Sequence, residues 1–569
     1  MSQEYCIFAV IIDAKSKKTG MKKITYIVMA AAAVSALSVF AENDTSVSRN
    51  MDIFNMAFKE LNTFYVDSVK TEHAVETALN SMLSELDPYT EYIPARETDD
   101  FKVFATGEYG GVGSYIMESN GWIYFSEPYE NSPAARAGIK PGDRIVSIDG
   151  ESMEGKKSDY VSSHLKGQPG STLNVTVARP YVGPDSILSF DIMREKIKVD
   201  AVSYSGLAAP GVGYIKLETF NEHSGKEVRE ALLELKNKHN ISSLMLDLRG
   251  NTGGLVDGAI QTLELFLPKG TQVLQTRGRD KLSEKTYRTT STPLDTKLPM
   301  VVLIDGSSAS ASEIVAGALQ DLDRAVIVGT RSFGKGLVQV TRPMPYDGIL
   351  KLTVAKYYIP SGRLIQEVDY SNRSEDGKAK TIPDSLTNVF HTAHGREVRD
   401  GGGITPDIKI EYPEVSRLVY NIVRDNWAFN YSTKYAAEHP TLAPADQFEV
   451  TDEIFNEFKA FIDPDKFEYD KVCEKGLETL RKTAEVEGYM NDSTKAQFDV
   501  LAGLLKHDLN HDLDKNRTEI EKILAQEIIK HYYYQKGQTI YALHHDEAIS
   551  RSIAVLTNLA DYRKTLNIK

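Results

Sequence analysis

The spacing of apolar residues changes several times along the chain, and each change marks a boundary. Between residues 50 and 100, Phe54, Phe58, Leu61 and Phe64 recur at helical spacing, and so do Val75, Leu79, Met82 and Leu83. Two helices are predicted, the second ended by Pro88. From 105 to 197 the pattern shortens to strand-like runs at 114–117, 122–125, 144–148 and near 172–178 and 187–193. Short helices are expected at 132–138, with Gly138 as the stop, and at 159–165. From 205 to 410 apolar strands alternate with amphipathic helices. Strands are predicted at 213–217, 243–248, 300–305 and 325–329, and helices at 226–238, 256–267 and 313–322. Such alternation predicts an α/β core whose strands are covered on both faces. From 413 to 569 the chain reads as helical, rich in charge and tyrosine, and as a separate domain. The run Tyr532-Tyr533-Tyr534 reads as packing.

The chain has 569 residues and is 41% hydrophobic, enough for several domains with their own cores. Its net charge of −14 argues against general nucleic-acid binding. The two cysteines, Cys6 and Cys473, exclude a disulfide framework and a cysteine-rich zinc site. From Met21 the chain reads Met-Lys-Lys, an apolar run from 24 to 40, then Ala41. That pattern predicts a signal peptide cleaved after Ala41 and export to a compartment such as the bacterial periplasm. The alternative is an uncleaved N-terminal membrane anchor. Residues 1–20 are read as an upstream extension with no structural role.

Residues 105–197 resemble a PDZ domain of the bacterial protease type. The resemblance rests on Gly110-Gly111-Val112-Gly113, the run SPAARAGIKPGDRIVSIDG and the order of elements. Such a glycine loop presents backbone N–H groups to the C-terminal carboxylate of a peptide that adds a strand to the sheet edge.

The candidate chemistry lies at strand ends, where α/β folds collect it. Residues 303–313 break from an apolar strand into Gly306, small residues and the hydroxyls of Ser307, Ser308, Ser310 and Ser312, then open a helix. Any of the four serines can serve as a nucleophile by spacing alone, or merely cap the helix. Lys335, between Gly334 and Gly336, follows a second apolar strand. A lysine titrates at about 10.4 in water, but burial disfavours its charged form and leaves a base able to take a serine proton. Residues 329–335 also match a phosphate-binding loop, yet Gly336 stands where Ser or Thr should hold magnesium, and 337–341 reads as a strand where a helix is needed. The glycines of Asp247-Leu-Arg-Gly-Asn-Thr-Gly-Gly254 suit an oxyanion hole. Residues 508–519 have the acidic spacing of a calcium loop, but Leu513 occupies the turning position. His391 and His394 lack a third ligand. No metal or cofactor is expected.

Seven motifs in order make the chain similar to the carboxy-terminal processing peptidases, or tail-specific proteases. They are LDPYTEY (86–92), the PDZ stretch, LDLRGNTGG (246–254), SSASASEIVAGALQD (307–321), GTRSFGKGLVQ (329–339), YYIPSGRLIQ (357–366) and GGGITPDI (401–408). The resemblance implies a multidomain α+β chain: an N-terminal helical segment (42–104), an inserted PDZ domain (105–197), a protease core of ClpP/crotonase-like α/β fold (198–412) and a C-terminal helical domain (413–569). It implies Ser310 as nucleophile, Lys335 as general base and Gln339 as the residue that orients it. Ala311 with Gly253 or Gly254 would form the oxyanion hole, and Asp321 would be structural. Substrates would be proteins or peptides with free C-termini, held by Gly110, Gly111, Val112 and Gly113. The C-terminal helices are left for self-association or an adaptor. The rival expectation is a non-catalytic PDZ scaffold that binds tails without cutting them.

Overall fold

The computed structural model describes residues 46–183, 186–281, 284–374, 379–468 and 471–568. The predicted signal peptide lies outside the described residues. Among them, no helix is long and apolar enough to cross a membrane. The described residues divide into two compact units, one up to residue 85 and one from residue 86 onward. The first holds a helix at 46–64 and a second at Thr71–Ser84, where the apolar spacing placed them.

In the second unit, the PDZ-like sheet is antiparallel. Its strands run in the order Ser114–Ser119, Trp122–Pro128, Arg144–Ile148, Thr172–Ala178 and Ile187–Met193. Alternate residues of Trp122–Pro128 and Thr172–Ala178 point inward, so Ile123, Phe125, Val175 and Val177 are buried with Ile145, Ile148 and Val161. Ser132 Oγ accepts the Ala135 N–H (3.2 Å) at the start of helix Pro133–Ala137, and Gly138 ends it at φ 95°. Strand Ser114–Ser119 is an edge of this sheet, with helix Ser158–Leu165 beside it.

The core sheet has six strands: Val202–Ala209, then Val212–Leu217, Ser243–Asp247, Met300–Ile304, Val326–Gly329 and Ile408–Lys409. All pairings after the first are parallel. Every residue of the three central strands is buried, which explains their unbroken apolar runs. Leu244, Leu246, Val302 and Ile327 pack toward helices Ser224–His239, Val256–Glu264 and Ala311–Asp321. Met245, Val301, Leu303, Val326 and Val328 pack the other way, against Ala548, Ile549, Val555, Leu556 and Tyr562. The last helices of the chain, Glu547–Thr557 and Leu559–Thr565, therefore form one layer of the core, while residues 418–541 hold a cluster of their own. Tyr562 Oη accepts the Met300 N–H (3.0 Å), and Arg249 pairs with Asp546 at 2.8 Å. Asp247, fully buried, is pushed up by burial but held down at about 2 by the charges of Arg249 and Lys216.

A second sheet is built on the long strand Ile349–Tyr358. Leu337–Pro343 pairs along one side of it, with Glu91–Ile93 and Gln272–Gly278 on the other. Leu337–Pro343 is the strand that the phosphate-loop reading could not accommodate. Residues 508–519 form helix Leu509–Lys515, capped by Asp508, and the start of the next helix, with Leu513 buried.

Candidate active site

Strand Met300–Ile304 runs through a tight turn into helix Ala311–Asp321. Asp305 shapes the turn, its Oδ1 accepting the N–H groups of Ser307 (2.9 Å) and Ser308 (3.0 Å). Two of the four competing serines are committed to structure: Ser308 Oγ donates to the Leu248 carbonyl and Ser312 Oγ to the Asn251 carbonyl, each at 2.8 Å in a buried setting. Ser310 differs. It stands at the helix N-cap with φ 54° and ψ −110°, a conformation that residues with a side chain avoid unless their surroundings hold them there. Among the described residues its hydroxyl donates to nothing. The helix that follows is buried along its whole length, so its N-terminal dipole acts in a dry setting.

Lys335 closes the loop 330–336. Its ammonium lies 4.1 Å from the ring centre of Tyr89. Burial and the nearby Lys351 charge push its pKa down to about 8, against the pull of Asp87, Glu313 and Glu91. Ser310 and Lys335 wall one cavity of 570 Å³, together with Thr252, Gly254, Gln339 and Lys351. Among the described residues no hydrogen bond joins Ser310 Oγ to Lys335 Nζ; the amine rests on Tyr89 instead. Gln339 shares the cavity wall, and its Nε2 donates to Thr353 Oγ1 (3.0 Å).

The glycine loop 250–254 closes against Ser310. A Cβ on Gly253 would lie 2.9 Å from Ser310 Cβ and 3.0 Å from the Ala311 nitrogen. The Gly253 N–H is already used, donating to Asn251 Oδ1 at 2.9 Å. Among the described residues no acceptor takes the N–H of Gly254 or Ala311. Gly254 has φ 143°, and a Cβ there would meet the Phe220 carbonyl oxygen at 2.1 Å, so only glycine fits. Asp321 forms a buried ion pair with Arg363 (2.9 Å) and accepts the Ser361 N–H (2.9 Å), which ties the helix to the turn after Tyr358.

Two further residues at the site carry no sequence assignment. Glu313, completely buried, accepts four hydrogen bonds: Ser310 N–H (2.8 Å) and Lys335 N–H (2.9 Å) at Oε2, and Ser332 Oγ (2.6 Å) and Gly334 N–H (2.7 Å) at Oε1. Burial pushes its pKa up to about 7 against those four donors. Tyr357, also buried, places its hydroxyl 2.6 Å from the Lys335 carbonyl oxygen and 3.1 Å from that of Ser310. The order Ser310-x-x-Glu313 is a capping-box signature and was the available signal for Glu313.

In the PDZ-like domain, Gly110 and Gly111 lie in strand Glu108–Gly111, paired with Glu195–Lys198. Val112 and Gly113 lead from it into the edge strand Ser114–Ser119, and among the described residues their N–H groups have no acceptor.

A model for peptidase family S41 matches residues 211–371, and one for the PDZ domain matches 124–179. A third, described as "Probable PDZ-protease, C-terminal helical domain", matches 418–556. The carboxy-terminal-processing protease of Bartonella bacilliformis is 37% identical over 338 residues, which is 59% of this chain and 77% of the relative. The carboxy-terminal processing protease CtpB of Bacillus subtilis is 36% identical over 336 residues, 58% of this chain and 69% of the relative. The solved photosystem II D1 C-terminal processing protease is 25% identical, covers 63% of this chain and 92% of that one, and has a TM-score of 0.34. The chain belongs to the carboxy-terminal processing proteases of peptidase family S41, and is a serine-type peptidase with a PDZ domain.

Proposed function

We propose that the protein is an exported endopeptidase that cuts by a Ser310–Lys335 dyad and draws substrates in by their C-terminal tails through the PDZ domain. One observation carries the reading: a serine held in a strained N-cap conformation and a lysine with a depressed pKa wall the same cavity. In the reacting arrangement the neutral Lys335 amine turns from Tyr89 toward Ser310 and takes its hydroxyl proton, with Gln339 orienting the amine. Ser310 Oγ attacks the scissile carbonyl. The N–H groups of Ala311 and Gly254 receive the oxyanion, since Gly253 is already bonded. Lys335 then hands its proton to the leaving amine, and water, deprotonated by the same lysine, releases the acyl group. The edge strand Ser114–Ser119 with the amides of Val112 and Gly113 holds the tail, as β-strand addition requires. Residues 21–41 direct export.

The test is cleavage of a peptide with a free C-terminus by Ser310→Ala and by Lys335→Ala. Each is expected to lose about 10³-fold or more in kcat/KM. Activity within about tenfold of the parent in either variant rejects the dyad. A tail-binding protein that shows no cleavage with any peptide rejects the enzyme reading itself.

A further inference from the structure

We propose that Glu313 and Tyr357 are positioning residues that together set the separation of the two catalytic main chains. The proposal deepens the dyad reading and rests on it. Ser310 and Lys335 sit on different elements, one at a helix start and the other at the end of a loop. One main-chain bond ties the two segments nearby, Phe333 N–H to the Ser308 carbonyl at 3.0 Å, two residues before each catalytic residue.

Two buried side chains act on Ser310 and Lys335 themselves. A single carboxylate oxygen, Glu313 Oε2, accepts the N–H of Ser310 and the N–H of Lys335. A single phenol oxygen, Tyr357 Oη, reaches the carbonyl of Ser310 and the carbonyl of Lys335. Each catalytic residue is thus held at both of its peptide groups, and by the same pair of partners. Tyr357 has one proton to give, so its shorter bond goes to Lys335 and the longer contact to Ser310 is shared.

The clamp is rigid for physical reasons. Glu313 Oε1 is engaged by Ser332 and Gly334, so the carboxylate cannot rotate away from Ser310 and Lys335. Both side chains are buried, so a broken contact finds no water to replace it, and the unmade bond carries its full desolvation cost. The backbone of Ser310 needs such an outside hold, because its positive φ is not self-sustaining. Proton transfer between the two side chains is steeply sensitive to their placement, and a misplacement of about 1 Å costs about 10²-fold.

Tyr357→Phe removes only the phenol oxygen. The expected result is a fall in kcat of about 10- to 100-fold with KM changed by less than about twofold. A hydroxyl that served the fold alone would lower the unfolding temperature and leave the kcat of the folded enzyme as it was. A kcat within about twofold of the parent, or a loss confined to KM, overturns the proposal. Should Tyr357→Phe not accumulate as folded protein, Ser332→Ala supplies the second arm by removing one of the four donors that fix Glu313. It is expected to lower kcat about three- to tenfold at constant KM, and an unchanged kcat overturns the clamp. Ser310→Ala, assayed alongside, separates the two readings. Residual full activity there removes the dyad itself, whereas an inert Ser310→Ala with a full-speed Tyr357→Phe removes only the clamp.

Discussion

Residues 250–254 of the core and residues 110–113 of the PDZ domain are both glycine-rich, but their far ends meet different surroundings. In the core, a Cβ on Gly253 would meet the Ala309 carbonyl at 2.7 Å and one on Gly254 the Phe220 carbonyl at 2.1 Å. Both obstacles are main chain, which has little room to yield. In the PDZ domain, the start of the loop is also backed by main chain, a Cβ on Gly110 meeting the Gly167 carbonyl at 2.1 Å, but at its far end a Cβ on Gly113 would meet side chains, Ser132 Cβ at 2.6 Å and Ile197 Cδ1 at 3.1 Å, beside the open edge Ser114–Ser119. The core loop is boxed in by long-range backbone contacts, and the PDZ loop ends at a free edge. On the proposed reading, chemistry that depends on fixed geometry occupies the first setting. Recognition of substrate tails occupies the second on the same reading.

Substitutions at the two loops should therefore separate. Gly254→Ala is expected to reduce kcat/KM by about 10²-fold or more, because it strains the loop and displaces an oxyanion donor. Steady-state kinetics on the folded variant check this, and activity within about threefold of the parent would remove Gly254 from the oxyanion hole. Gly113→Val is expected to act more gently, raising KM about tenfold while kcat changes by less than about threefold. A fall in kcat of the same size as the loss at Gly254 would mean that the two loops are not independent, and that the PDZ domain acts on the chemistry as well as on capture.

The same contrast explains what the sequence made legible. The strands and helices of the core appear within a few residues of where the apolar pattern put them, because fully buried strands read as unbroken runs. The strand Leu337–Pro343 after Lys335, which set aside a phosphate loop, was legible as well, although only Leu337 in it is buried and its last three residues are exposed. The sorting of the four serines was not legible from spacing. Ser308 and Ser312 are used by carbonyls 60 and 61 residues away, which no local pattern reports. Glu313 had a local signature in the capping box, but its second partner, Lys335, is 22 residues further on. Tyr357 had none, since it acts on carbonyls 47 and 22 residues away. Likewise, the helices after residue 546 read as part of a separate helical domain, although their apolar faces are spent on the core sheet. Sequence periodicity reports that a face is buried and not which element covers it.

The central claim is a neutral amine at Lys335 serving the hydroxyl of Ser310, and the rate at which a fluorophosphonate labels the enzyme as a function of pH tests it most directly. With the Lys335 pKa pushed down to about 8, labelling should be slow in acid and rise with pH through a midpoint near 8, because only the uncharged amine accepts the proton. Mass mapping should find the adduct on Ser310, and Lys335→Ala should lose the pH-dependent rise. A midpoint near the about 10.4 of a lysine in water, or an adduct at another serine, would contradict the account.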